Sequence, residues 1–215
     1  MNNIIQTKND NTFSKEITSL LYSDYIKSIK KYKRFNLALT GGRTPVIIYK
    51  YLRDHYLDLI DWSLVFFYFV DERYVPSTSK DSNYYNAEKY LFRFLHSKNV
   101  FRFRTEIDPI LALNEYTNII SNCNINTALL GVGEDGHVGS VFPNSLDIDS
   151  KSLVVFTDRY YNKHKRFTLT LMAIRKIESK ILVINRNNKK IKILMSDNKN
   201  YPINNIGDMT IIVNS

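Results

Sequence analysis

The sequence predicts an α/β fold: a single-domain, three-layer α/β/α arrangement over residues 1–215, around a mostly parallel Rossmann-like sheet. Three observations lead there. Short apolar runs alternate with stretches of helical period along the chain. One run, Leu64-Val65-Phe66-Phe67-Tyr68-Phe69-Val70, is apolar without a break, as a strand covered on both faces must be. Six of the seven glycines fall in two loops, each directly after an apolar run. Glycine at a strand end serves positive φ or close approach to a ligand, so the two loops predict one site at the carboxyl edge of the sheet.

Taken in order, Ile17, Leu20, Leu21, Tyr25, Ile26 and Ile29 recur at helical spacing and predict a helix over 14–31. Residues 35–39 form a short buried strand that ends in Thr40-Gly41-Gly42-Arg43-Thr44-Pro45. Thr44 suits an N-cap and Pro45 the first helical position, giving a helix to about Tyr51 whose free N–H groups make an anion site. The 64–70 strand delivers Asp71-Glu72-Arg73 to its end. Helical patterns follow from Ser82 through Leu91 and Leu95, and over 111–120. Strands are predicted at 127–130, 153–156, 167–171, 181–184 and 210–213, with a short helix near 173–177.

Composition narrows the function. A 44% hydrophobic chain with 13% aromatics can bury a core. The lone Cys123 has no partner for a disulfide or thiolate metal site and reads as a packing thiol. The N-terminus lacks the apolar core of a signal peptide and no run is long enough to span a bilayer, so the expectation is a cytoplasmic protein with no membrane partner. The net charge of +9 is mostly scattered. Its one dense cluster, Lys27 to Arg34, reads as a solvated helix end and brings no RNA-binding motif, so no nucleic-acid partner is expected.

Gly131-Val132-Gly133-Glu134-Asp135-Gly136 fits G-x-G-x-x-G after a strand, with Asp158 about where a ribose-binding acid would fall. Pro143, however, interrupts the crossover helix that a dinucleotide fold needs. Asp135 and His137 offer only two ligands to a metal, and no second histidine follows at ligand spacing. His137, set between glycines beside Asp135, instead suits a general acid/base.

At this point the residues resemble the 6-phosphogluconolactonases, relatives of the glucosamine-6-phosphate deaminases. Residues 40–45 resemble an S-G-G-[ST]-T-P loop, with Thr40 for the usual serine. Asp71-Glu72-Arg73-Tyr74-Val75-Pro76 followed by Ser82-Asn83 resembles D-E-R-x-V-P then S-N. Residues 130–143 resemble L-G-x-G-x-D-G-H-x-A-S-L-F-P, and Arg166-Phe167-Thr168-Leu169-Thr170 resembles R-x-T-L-T. The resemblance implies a small anionic sugar-phosphate lactone as substrate and no metal or organic cofactor. It implies His137 as the base that activates water, and Asp135 as the residue that orients the imidazole or binds the sugar. Gly41, Gly42, Arg43, Thr44, Asp71, Arg73, Arg166 and Lys189 would bind substrate, mainly its phosphate. A monomer or small homo-oligomer is expected.

Two segments depart from the family pattern. A proline-rich K-P-P segment is replaced by residues 159–165, and the later G-x-x-K element, aligned on Lys189, has Arg186 at the glycine place with Lys190 as a second phosphate lysine. Two other readings stay open here: a sugar-phosphate sensor without working chemistry, and a deaminase-isomerase. The latter carries a carboxylate five residues past the histidine, where this chain has Phe142.

Overall fold

Neighbouring strands of the larger sheet all run the same way, which orders the elements of the computed structural model; it describes residues 2–95, 97, 99–157, 160–196 and 198–215. In chain order these are β1 (Asn3–Thr7), α1 (Asp10–Tyr32), β2 (Phe35–Leu39), α2 (Arg43–Tyr56), β3 (Val65–Phe69), β4 (Asp71–Arg73), α3 (Asn83–Tyr90), α4 (Pro109–Ser121), β5 (Thr127–Leu130), β6 (Val154–Phe156), β7 (Arg166–Leu169), α5 (Leu171–Arg175), β8 (Ser179–Asn185), α6 (Asn188–Met195) and β9 (Thr210–Asn214). Six strands form a wholly parallel sheet in the order β1-β9-β8-β5-β2-β3. Every residue of β2 and β5 is buried, as expected of strands with a packed layer on each face. Helices α1 and α2 pack on each other, and α1 lies against β2, β8 and β9. The predicted α/β class with a mostly parallel sheet is what forms.

The strand order places the site. From β2 the chain crosses to β3 on one side, whereas from β5, the other neighbour of β2, it crosses to β8 on the opposite side. The loops after β2 and β5 therefore diverge and leave a crevice between them, the usual place for ligands in such sheets. On the outer side of β3, the Tyr116 hydroxyl donates to Phe69 O and accepts from Phe69 N, both at 2.8 Å. Phe67 pairs there with the 99–101 segment, so the exposed strand edge is covered.

Several local expectations change. Asp71-Glu72-Arg73 is a strand of a second, antiparallel sheet in the order β4-β7-β6. Helix α1 starts at Asp10 because the Asn9 side chain accepts from Thr12 N at 2.9 Å. Thr44 is not the cap of α2: Gly42, at φ 105°, turns the chain straight into the helix, which puts Thr44 within its first turn and leaves the cap position without a side-chain hydrogen bond. Helix α2 also runs on to Tyr56. Pro109 opens α4 behind the Asp108 cap, Leu171 belongs to α5 rather than β7, and β1 and α6 were not predicted. Asp158 and Arg159 lie outside the described residues. Among those described, no helix is long and apolar enough to cross a membrane.

Candidate active site

A cavity of about 760 Å³ opens at the crevice, walled by the loops after β2, β5 and β8. Its size suits a small organic ligand. Predicted residues Gly41, Gly42, Arg43, Thr44, Asp71, Arg73 and His137 all line it.

The loop after β5 sets the histidine. Gly133 N donates to His137 O at 2.9 Å, and Val138 and Val141 exchange backbone hydrogen bonds, which closes a tight turn. Gly133 cannot be larger, since a Cβ there would sit 2.1 Å from His137 Nδ1. The imidazole is gripped at one edge, with Asp135 Oδ1 2.6 Å from His137 Nδ1. Burial pushes the Asp135 carboxyl up, but its hydrogen bond to His137 and the attraction between them prevail and bring it down to about 2. The ionised carboxylate only accepts, which assigns the proton to Nδ1 and leaves Nε2 as the ring nitrogen free to take one. Asp135 itself is not among the lining residues; its side chain meets the histidine instead.

The cavity wall also carries cations. Arg43 begins α2 at its uncapped N-terminus, where backbone N–H groups and the helix dipole favour an anion. The N-terminal turn of α6 presents Lys190. Burial lowers the Lys190 ammonium from its ordinary value; the Glu134 and Asp135 charges oppose that shift, and Arg43 adds to it. Lys189, aligned with the family lysine, is exposed and is not among the lining residues, whereas its neighbour Lys190 is. The reason lies in Arg186, which takes φ 48° at the place of the usual glycine, while Asn187 caps α6 by accepting from Lys190 N.

Buried polar groups support the floor. Asp71 accepts from Ser140 Oγ at 2.7 Å and from Asn83 Nδ2 at 3.2 Å. Glu72, 2% exposed, accepts from Arg73 N, Asn83 N, Tyr84 N and Ser82 Oγ, fixing the start of α3 and with it Asn83. Burial raises the Glu72 carboxyl despite those four donors. Asn83 lines the cavity against Gly41 and was not predicted as a site residue, although the Ser82-Asn83 pair held the signal. Glu134 and Asn162 are further wall residues without a sequence signal. Arg73 remains in the wall, its Nη1 donating to Asp81 O at 2.5 Å and its buried Nε without a hydrogen-bond partner among the described residues.

Arg166 departs from expectation. It is 6% exposed and lies behind the cavity wall, its guanidinium 5.7 Å from the centre of the Phe142 ring and its Nη2 donating to Tyr161 O at 3.3 Å. Burial lowers its affinity for the proton, with the Asp71 charge opposing. Among the described residues, no group of three or more His, Cys, Asp or Glu converges for a metal ion.

This arrangement has known counterparts. A 6-phosphogluconolactonase of Chlamydia pneumoniae is 33% identical, with 96% of this chain and 84% of that protein covered. One from Thermotoga maritima is also 33% identical, over 82% of this chain and 80% of its own length. The crystal structure of a Thermotoga maritima 6-phosphogluconolactonase superposes with a TM-score of 0.90 and 25% identity, covering both chains fully. The family described as glucosamine-6-phosphate isomerases/6-phosphogluconolactonase matches residues 8–210, a span that includes every loop around the cavity, and the chain belongs to that family.

Proposed function

We propose that the protein hydrolyses 6-phosphoglucono-1,5-lactone to 6-phosphogluconate, a step of the oxidative pentose phosphate pathway, as a lactone hydrolase of the cytoplasm. The observation that carries this reading is a histidine oriented by an ionised carboxylate in the wall of a cavity that Arg43 and Lys190 also line. His137 Nε2 takes a proton from water as the water oxygen attacks the lactone carbonyl. The tetrahedral intermediate collapses with cleavage of the ring C–O bond, and the imidazolium returns the proton to the departing ring oxygen. Asp135 holds the imidazolium by charge throughout. Arg43, Lys190 and the N-terminus of α2 hold the phosphate, and Arg73, also in the wall, adds positive charge.

Phe142 separates this reaction from amino-sugar deamination. It stands five residues past the histidine, is 5% exposed, and packs its ring 4.5 Å from the imidazole. A phenyl ring cannot exchange protons with His137. The test is product analysis with fresh lactone beside glucosamine 6-phosphate. Accelerated lactone opening without ammonia release is expected; ammonia release at a comparable rate would overturn the assignment, and binding without turnover of either would favour a sensor.

A further inference from the structure

We propose that Tyr161 is a positioning residue for His137, acting through the ring of Phe142; the inference rests on reading His137 as the base. Three rings lie in a row. The His137 and Phe142 centroids are 4.5 Å apart, and those of Phe142 and Tyr161 are 3.5 Å apart with the planes 5° from parallel. The turn closed by Val138 and Val141 fixes the backbone on either side of it, but not the rotation of the two side chains it carries. Asp135 holds one edge of the imidazole and Phe142 touches the ring itself, so the tilt of Phe142 bears on where Nε2 points. Tyr161 covers the other side of Phe142.

What holds Tyr161 is a two-residue hairpin peculiar to the segment that replaces the family's proline-rich stretch. Tyr161 and His164 exchange backbone hydrogen bonds at 2.9 and 3.2 Å, with Asn162 and Lys163 between them at φ 49° and 73°. That left-handed pair is what the tightest hairpin turn requires. The hairpin is pinned twice, by His164 Nε2 at 3.1 Å from Asp81 Oδ2 and by Arg166 Nη2 donating to Tyr161 O at 3.3 Å. Asp81 also accepts from Arg73 through its carbonyl, which ties the hairpin to the cavity wall. Arg166 lies close to Phe142 as well, so one buried guanidinium steadies both members of the ring contact. Small misplacement of a reacting group is expensive in rate, which is how a residue outside the chemistry can control it.

The experiment compares Tyr161→Ala, Tyr161→Phe and His164→Ala in the full chain. It measures kcat and KM on the lactone, thermal melting, and the ring-nitrogen NMR signals of His137 in ligand-free protein, assigned by their loss in His137→Ala. Tyr161→Ala is expected to lower kcat about tenfold with KM changed less than about twofold, and to shift or broaden the His137 ring signals. Tyr161→Phe keeps the stacked ring and should stay within about twofold of the parent. His164→Ala, which loosens the hairpin without touching the rings, should lower kcat about threefold and move the same signals; it carries the test should Tyr161→Ala fail to melt cooperatively. Unchanged kcat and unchanged ring signals would overturn the proposal. So would a rise in KM alone, which would make Tyr161 a substrate contact, or equal losses in Tyr161→Phe and Tyr161→Ala, which would assign the effect to the hydroxyl. Full turnover in His137→Ala would overturn the assignment of the base instead, while the ring signals would still report whether Tyr161 governs the orientation of His137.

Discussion

The loop that carries His137 and the hairpin that carries Tyr161 meet at a single ring stack, yet they are built by opposite means. The loop springs from fully buried β5 and turns on glycines, two of them at positive φ, packed so closely that added atoms would collide with their neighbours. The hairpin bends through Asn162 and Lys163, both exposed and both left-handed, and is held by one side-chain contact, His164 to Asp81, and one buried arginine. Left-handed backbone thus falls on glycine in the turn around His137 and on side-chain-bearing residues in the hairpin. Catalytic groups on a rigid strand end and a more yielding cover are the arrangement expected of a site that must fix a base and still admit a substrate.

That contrast can be broken at five points. The largest effect is expected at His137: His137→Ala should lower kcat for lactone opening by about two to four orders of magnitude with little change in melting temperature. Near-normal turnover would remove the chemistry from the loop. Gly133→Ala comes next, because its methyl group would meet His137 Nδ1. Displacing the imidazole should reduce kcat about a hundredfold, and an active variant would show the loop to be more yielding than its packing implies.

The cationic wall is sharpened by comparing adjacent lysines. Lys190→Ala should raise KM for the phosphorylated lactone about tenfold or more and leave an unphosphorylated δ-lactone unaffected. Lys189→Ala should be neutral on both; the reverse pattern would restore the lysine that the family alignment favours.

The fourth effect is one of acidity. The folded-state Asp135 carboxyl titrates at about 2, below its ordinary value. A depressed carboxyl contributes stability at neutral pH that is lost as pH falls through the window from about 4 to about 2. With its side chain 53% exposed, solvent screening holds this contribution to about 1 kcal/mol or less. Acid titration of unfolding should therefore show a small loss of stability in that window, absent in Asp135→Asn. The smallest effect is in the hairpin: Lys163→Gly removes a strained side chain and should raise the melting temperature by about 1–3 °C. A lowered one would mean that Lys163 holds the turn by a contact of its own.

What the sequence makes legible follows the same divide. Strands β2, β3, β5 and β8 announce themselves because burial on both faces leaves mostly apolar residues to be read. The glycine loops were visible because steric necessity restricts them to one residue type. Strand β1 escaped because its Asn3 and Gln6 sit on an exposed edge, and α6 because a lysine-rich helix with only Ile193 buried has little apolar face to show. Thr44 was misassigned because cap preference is weaker than the turn Gly42 makes. Arg166 was expected at the phosphate because a motif names a residue without saying which way its side chain points; only the packing reveals that it faces Phe142. The hairpin is hard to read for a related reason, since Asn162 suits a left-handed turn but Lys163 does not advertise one, and the partner Asp81 is distant in sequence.

The pairing of β1 bears on how the molecule is made. Among the described residues its one neighbour in the sheet is β9, from Asn3 beside Thr210 to Thr7 beside Asn214. Strand β1 must therefore wait, unpaired, until β9 has been synthesised, while β2, β3 and β5 can assemble in the meantime. Parallel pairings of such sequence separation are slow, and an unpaired strand invites other chains. Here the waiting strand is short and bears Asn3 and Gln6, a composition that keeps it in water rather than in the company of its own kind until β9 arrives.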